Sequence, residues 1–71
     1  MTAIPGLYQH FKGARYRVLF TALDVTDSRD TETVVYMALE DGVIYTREVR
    51  DFTRIVKWPD GKDRQRFIRK D

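Results

Sequence analysis

The chain holds one histidine, His10, one serine, Ser28, and no cysteine. A serine nucleophile activated by an imidazole would have to pair Ser28 with His10. Ser28 stands in the polar run "DVTDSRDTE", with no strand-to-helix elbow to expose its hydroxyl. Nucleophilic catalysis is therefore not expected, and no catalytic residue is assigned. Metal chemistry fares no better. One imidazole without thiolates cannot make a histidine-rich zinc site. Asp24, Asp27, Asp30 and Glu32 cluster, but at a spacing of three or two and without the central glycine of a calcium loop. Their expected role is local backbone bonding in a solvated turn. Glu40 and Asp41 precede Gly42 and read first as turn residues. Glycine-rich phosphate cradles are missing as well. No metal and no cofactor is expected.

Charge is the remaining chemistry. The net charge is only +2, but its distribution is uneven. Residues 1–20 carry Lys12, Arg15 and Arg17 and no acid; residues 21–41 carry six acids and one base; residues 42–71 carry nine bases and five acids. If the two basic ends meet in the fold, a basic patch results. Lys12, Arg15, Tyr16, Arg17, Arg47, Arg64, Arg66 and Arg69 are then the candidate partner-binding residues. Such a patch could follow a nucleic-acid backbone while tyrosine or phenylalanine rings stack on bases. The competing reading is ordinary solvated charge, which also protects strand edges from aggregation.

The elements that would position these residues are short strands. "IPGLYQHF" holds an early Pro-Gly break and then a first strand from Leu7 to Phe11, turned at Lys12-Gly13. "RYRVLFTALDV" is the longest strand, with Tyr16, Val18, Phe20 and Ala22 on one face and Leu19 and Leu23 blurring the alternation. "TDSRDTE" is a loop. "TVVYMAL" is β-branched and aromatic, a central strand. Asp41-Gly42 closes a hairpin onto "VIYTREV". "VRDF" fits a single helical turn, because Val49 and Phe52 lie three apart. "RIVKW" is a further strand, "PDG" a turn, and "RQRFIRK" one last short strand. No helical period persists for ten residues. The expectation is a single mainly β domain over 1–71. It is either a small SH3-like barrel or a strongly bent antiparallel sheet of five or six short strands, with at most one helical turn. An OB-like barrel is the second choice. A chain this short buries only about 60% of its unfolded surface, so its nine aromatic residues must supply much of the core.

No apolar run reaches the roughly 20 residues of a membrane span, and no leader is read at the N-terminus. Zero cysteines fit a reducing compartment. A cytoplasmic location without membrane contact is expected.

The opening "G-x-Y-x-H-F-K-G-x-x-Y-x-V-L", carried here by Gly6, Tyr8, His10, Phe11, Lys12, Gly13, Tyr16, Val18 and Leu19, resembles a small, mostly bacterial family catalogued as domain of unknown function sixteen fifty-three. The likeness continues in Val34, Val35, Tyr36, Ala38, Leu39, Arg47, Phe52, Asp60, Gly61, Arg66 and Phe67. The resemblance implies a compact β domain and brings no assigned activity. This chain departs from the family pattern where Leu23 and Asp24 replace a basic pair, Tyr45 a tryptophan, Glu48 a proline and Glu40 an aromatic. Tyr8 and His10 are two apart and share a strand face, opposite Leu7 and Gln9. The motif residues Tyr8, His10, Phe11, Gly13, Tyr36 and Phe67 are accordingly expected to be structural. His10 should be half-buried, with its two nitrogens tying neighbouring strands, and Lys12 exposed in the turn. The functional expectation is a non-enzymatic module that recognises a protein or peptide partner. The alternative is nucleic-acid binding through the basic ends. Oligomeric state is left open by the sequence.

Overall fold

A computed structural model describes residues 4–71; the part of the expected domain that covers residues 1–3, and the leader reading that rests on them, lie outside the described residues. Seven strands form two antiparallel sheets. Strands β1 (Gly6–His10), β2 (Arg15–Asp24), β3 (Thr31–Ala38), β4 (Ile44–Glu48) and β7 (Phe67–Arg69) make a five-stranded sheet in the order β4-β3-β2-β1-β7. Strands β5 (Ile55–Lys57) and β6 (Asp63–Gln65) form a separate two-stranded ribbon. A helical turn, α1 (Val49–Phe52), follows β4 directly, and a short 3₁₀ turn occupies Thr26–Ser28. No barrel closes, so of the two expected architectures the molecule adopts the antiparallel sheet. Among the described residues no helix is long and apolar enough to cross a membrane.

The core lies on one face of the large sheet, the inner face. Tyr8, Val18, Val34, Tyr36 and Phe67 project from the strands, and Val49 and Phe52 of α1 meet them. Val49 and Phe52 are three apart, so a single helical turn presents both to the sheet. The Phe52 and Phe67 rings stack with centroids 4.0 Å apart, while Tyr8 and Tyr36 meet Phe52 edge-on at 5.6 and 5.5 Å. Aromatic area thus substitutes for the aliphatic bulk that a chain of this length lacks.

The alternation expected for β2 fails halfway. Val18 is opposite Tyr36, but Phe20 is opposite Val35. Two residues of β2 advance against one of β3, which is a β-bulge at Leu19. Before the bulge Tyr16 and Val18 point inward, as the period-two pattern says. Beyond it the parity reverses. Thr21 stands opposite the fully buried Val34, and Phe20 and Ala22 turn outward. Phe20 is 54% exposed.

The basic tail also departs from expectation. "RQRFIRK" is two strands in different sheets, not one. Arg66 is the joint between them: its N–H donates to the Arg54 carbonyl at 2.7 Å, and its own carbonyl accepts from Phe11 N–H at 3.0 Å. Arg64 and Arg66 therefore do not share the face that a continuous strand would give them.

Candidate functional site

Three surfaces carry chemistry, and each follows from one of these local features. The first is at the open end of the inner face, where β1, β2, β4 and the β6–β7 joint converge on α1. Arg47 of β4 donates from Nε to the Tyr36 hydroxyl at 3.2 Å and from Nη1 to Asp51 Oδ2 at 2.6 Å. Arg54 Nε lies 3.3 Å and Arg66 Nη2 3.8 Å from Asp51 Oδ1. Arg66 Nε also donates to the Asp51 carbonyl at 3.3 Å. One carboxylate thus faces three guanidiniums. Partial burial pushes the Asp51 carboxyl up, but the hydrogen bond from Arg47 and the charges of Arg66, Arg47 and Arg54 outweigh it and hold it below its ordinary value.

His10 borders this cluster. Its ring tilts against Phe11 at 4.5 Å and meets Phe67 and Tyr16 edge-on at 4.8 and 6.3 Å. The Arg47 guanidinium lies 5.7 Å from the Phe67 centroid; those of Arg66 and the Lys12 ammonium each lie 5.8 Å from that of Phe11. Nδ1 accepts the Lys12 backbone N–H at 3.1 Å, which leaves the neutral ring's proton on Nε2. That bond is local to the turn, so His10 braces its own hairpin instead of tying two strands. Burial, then Arg47, Arg66 and Lys12, lower its pKa from the ordinary 6.5. Tyr16 and Tyr45 continue the aromatic wall, 6.4 Å apart. Burial, then Tyr36 and Tyr45, push the Tyr16 hydroxyl up, so it stays protonated and able to donate.

The second surface is a groove of about 290 Å³ between two turns, lined by Phe11, Lys12, Gly13, Trp58, Pro59 and Arg64 among others. Gly13 has φ +107° and Gly61 φ +84°, which side-chain-bearing residues rarely adopt. Trp58 is fixed by its indole N–H donating to the Gln65 carbonyl at 2.9 Å. Arg64 lies 5.6 Å over the indole and is held by Asp60 through bonds of 2.7 and 3.1 Å.

The third is the outer face of the large sheet. Pairing places Leu7 opposite Arg17, Arg17 opposite Met37, and Met37 opposite Ile44; a second row runs Phe20, Val35, Thr46. Ile44 is 58% exposed. Arg15 and Arg17 rise from the same face and have no ion-pair partner among the described residues.

The expected basic residues are thus divided. Chain ends do meet, since β7 pairs with β1. Yet Arg15 and Arg17 face outward, Arg47 and Arg66 inward, Lys12 and Arg64 line the groove, and Arg69 is paired with Asp71 at 3.1 Å. Of the structural set, Tyr8, Tyr36 and Phe67 are buried and His10 and Phe11 half-buried. Sequence reasoning missed Asp51, Trp58 and the outward Phe20. A four-residue separation between Arg47 and Asp51 signals a pair only inside a continuous helix, and here a strand becomes a helix between them. Among the described residues no group of three or more His, Asp or Glu side chains could hold a metal ion.

Residues 6–69 match the family model described as protein of unknown function (DUF1653). The fold is similar to the crystal structure of a protein of that family from Bordetella bronchiseptica, with a TM-score of 0.78 and 32% sequence identity over 93% of this chain and 85% of that one. No curated protein matches the chain. A motif that spans nearly every strand, a family match over the same residues and a shared sheet together mean that the chain belongs to the DUF1653 family of proteins of unknown function.

Proposed function

We propose that this protein is a non-enzymatic interaction module of the cytoplasm that recognises a protein partner through the outer face of its five-stranded sheet. The observation that carries this reading is the bulge at Leu19, which turns Phe20 outward beside Val35. With Val35, Met37 and Ile44 it makes an apolar strip on the outer sheet face, separated from Leu7 by Arg17. Strips of this kind mark interaction sites. Arg15 and Arg17 at its side, without an ion-pair partner among the described residues, call for a partner whose own apolar surface is bordered by carboxylates. The absence of cysteine from the sequence agrees with a reducing compartment. The test is capture from cell extract with cross-linking, comparing the parent chain with Phe20→Ser/Ile44→Ser and with Arg15→Glu/Arg17→Glu. Both variants should keep the parent's circular dichroism and lose the captured protein. Capture that survives both, or turnover of a substrate in a broad hydrolase screen, rejects the reading.

A second reading has its own observation. Lys12 from one end of the chain and Arg64 from the other line one groove with Phe11 and Trp58. A cationic groove with stacking rings suits single-stranded nucleic acid. Trp58 is the only tryptophan, so a stacked base would quench the chain's whole indole emission. The quench should weaken steeply with added salt; no quench at low ionic strength sinks this reading.

A further inference from the structure

We infer that the arginine cluster around Asp51 is a binding site for a doubly charged oxyanion, the phosphoryl group of a phosphomonoester or free phosphate. It is separate from the outer face, and it stands on three observations. The first is charge. Arg47, Arg54 and Arg66 surround the single carboxylate of Asp51, which leaves two positive charges uncompensated. The remaining nearby ion pair, Arg50 with Glu48 at 3.7 Å, is internally neutral. A phosphomonoester carries about −1.5 to −2 charges near pH 7, which matches that excess; a carboxylate supplies only one.

The second is donor capacity. Arg47 uses Nε on Tyr36 and Nη1 on Asp51, and Arg66 uses Nε on the Asp51 carbonyl. Nη2 of Arg47 and Nη1 of Arg66 have no hydrogen-bond partner among the described residues. Both arginines are already held by their other nitrogens, so little ordering is left for a ligand to impose. Guanidiniums fixed in this way suit the forked geometry of phosphate oxygens.

The third is the setting. The side chains of Arg47 and Arg66 are 31% and 20% exposed, which is accessible yet partly dehydrated, so screening is weaker than on open surface. His10 is at the rim, and its Nε2 proton has no acceptor among the described residues. The charged groups that face it are Arg47 of β4, Arg66 of the β6–β7 joint and Lys12 of its own turn, all cationic. Tyr16 faces it from β2, and Asp41 faces Tyr16 in turn. Tyr45, 41% exposed, offers a ring beside the site to whatever carries the phosphoryl group. An anion seated here would relieve the repulsion that now opposes His10 protonation.

His10 is the chain's single histidine, so its ring protons report the site without ambiguity. The experiment follows their NMR pH titration in chloride, acetate, inorganic phosphate and phenyl phosphate at one ionic strength. Phosphate should raise the His10 midpoint saturably, while acetate should leave it where chloride does. Phenyl phosphate should act at least as strongly; tighter binding than inorganic phosphate identifies an ester that uses the Tyr45 ring, and equal binding identifies free phosphate. Arg66→Gln should lose the shift, with the Trp58 indole resonance retained as a check on the fold. A His10 midpoint indifferent to both phosphates in the unmodified chain overturns the proposal, as does an equal response to acetate. Loss of partner capture by the outer-face variants bears on the other reading alone, since none of them touches this cluster.

Discussion

His10 and Asp51 are pulled below their ordinary pKa values for different reasons, and both changes make the fold acid-sensitive. For His10, burial and three cations oppose the charged ring. The unfolded chain therefore takes up the proton first, near 6.5, and stability falls as pH drops from there through the lower folded value. For Asp51, three arginines favour the charged carboxylate, so its contribution is complete above the ordinary 3.8 and disappears as pH falls through the folded value. Urea midpoints measured from pH 8 to 3 should decline in these two stages. His10→Gln should flatten the first stage, and Asp51→Asn should make the second shallower without abolishing it, because Asp24, Asp60 and Asp71 are also held below their ordinary values; a parent profile that is level between pH 7 and 5 contradicts the first assignment. At the same scale, Phe67 is buried against Phe52, Tyr36 and His10. Phe67→Ala should cost about 3–5 kcal/mol, whereas Leu23→Ser, at the exposed end of β2, should stay within about 0.5 kcal/mol. Chemical denaturation of the two variants checks both.

Between residues and the whole molecule, turns and joints decide what each strand presents. The β1–β2 turn is closed by His10 N–H to the Ala14 carbonyl and Gly13 N–H to the His10 carbonyl, each 2.8 Å. Gly13 sits at φ +107° with open space where a side chain would begin. Any loss in Gly13→Ala is therefore backbone strain and not a clash. It should be about 1–3 kcal/mol, read as a lowered denaturation midpoint, and it should loosen the Lys12 wall of the groove. Strands themselves were readable: the regions of β1 to β5 and the α1 turn follow from alternation, β-branched content and turn residues. The bulge at Leu19 and the joint at Arg66 were not. Both are visible only in the pairing with neighbouring strands. The bulge sets Thr21, and not Phe20, against the buried Val34, and Arg66 bonds to Arg54 on one side and Phe11 on the other.

For the molecule as a whole, the last strand is a structural member and not a tail. β7 pairs with β1 through Tyr8–Arg69, Gln9–Ile68 and His10–Phe67, and it brings Phe67 into the core. Net stability for a chain of this size is about 4–10 kcal/mol, so losing one such ring with its strand consumes most of it. A chain ended after Gln65 should show the circular dichroism of an unfolded peptide, whereas removal of Lys70 and Asp71 alone should leave a cooperative thermal transition. The pairing of β1 with β7 also unites the two basic ends, which was the condition for a basic patch. It does not unite their charges, because alternate residues of a strand leave opposite faces.

The sequence by itself determined the class of object: a small β domain, rich in aromatic residues, with one family motif, a single serine and a single histidine. Those properties are local or compositional, and the chain carries them wherever it is read. The tertiary structure alone decided which surface each basic and aromatic residue serves. Period-two reasoning assigns faces only while the register holds. A single extra residue at Leu19 reversed the face of everything after it in β2, and a break at Arg66 divided the last basic run between two sheets. The gathering of Arg47, Arg54 and Arg66 on Asp51 joins a strand, a helical turn and two connections, a proximity no spacing along the chain could display.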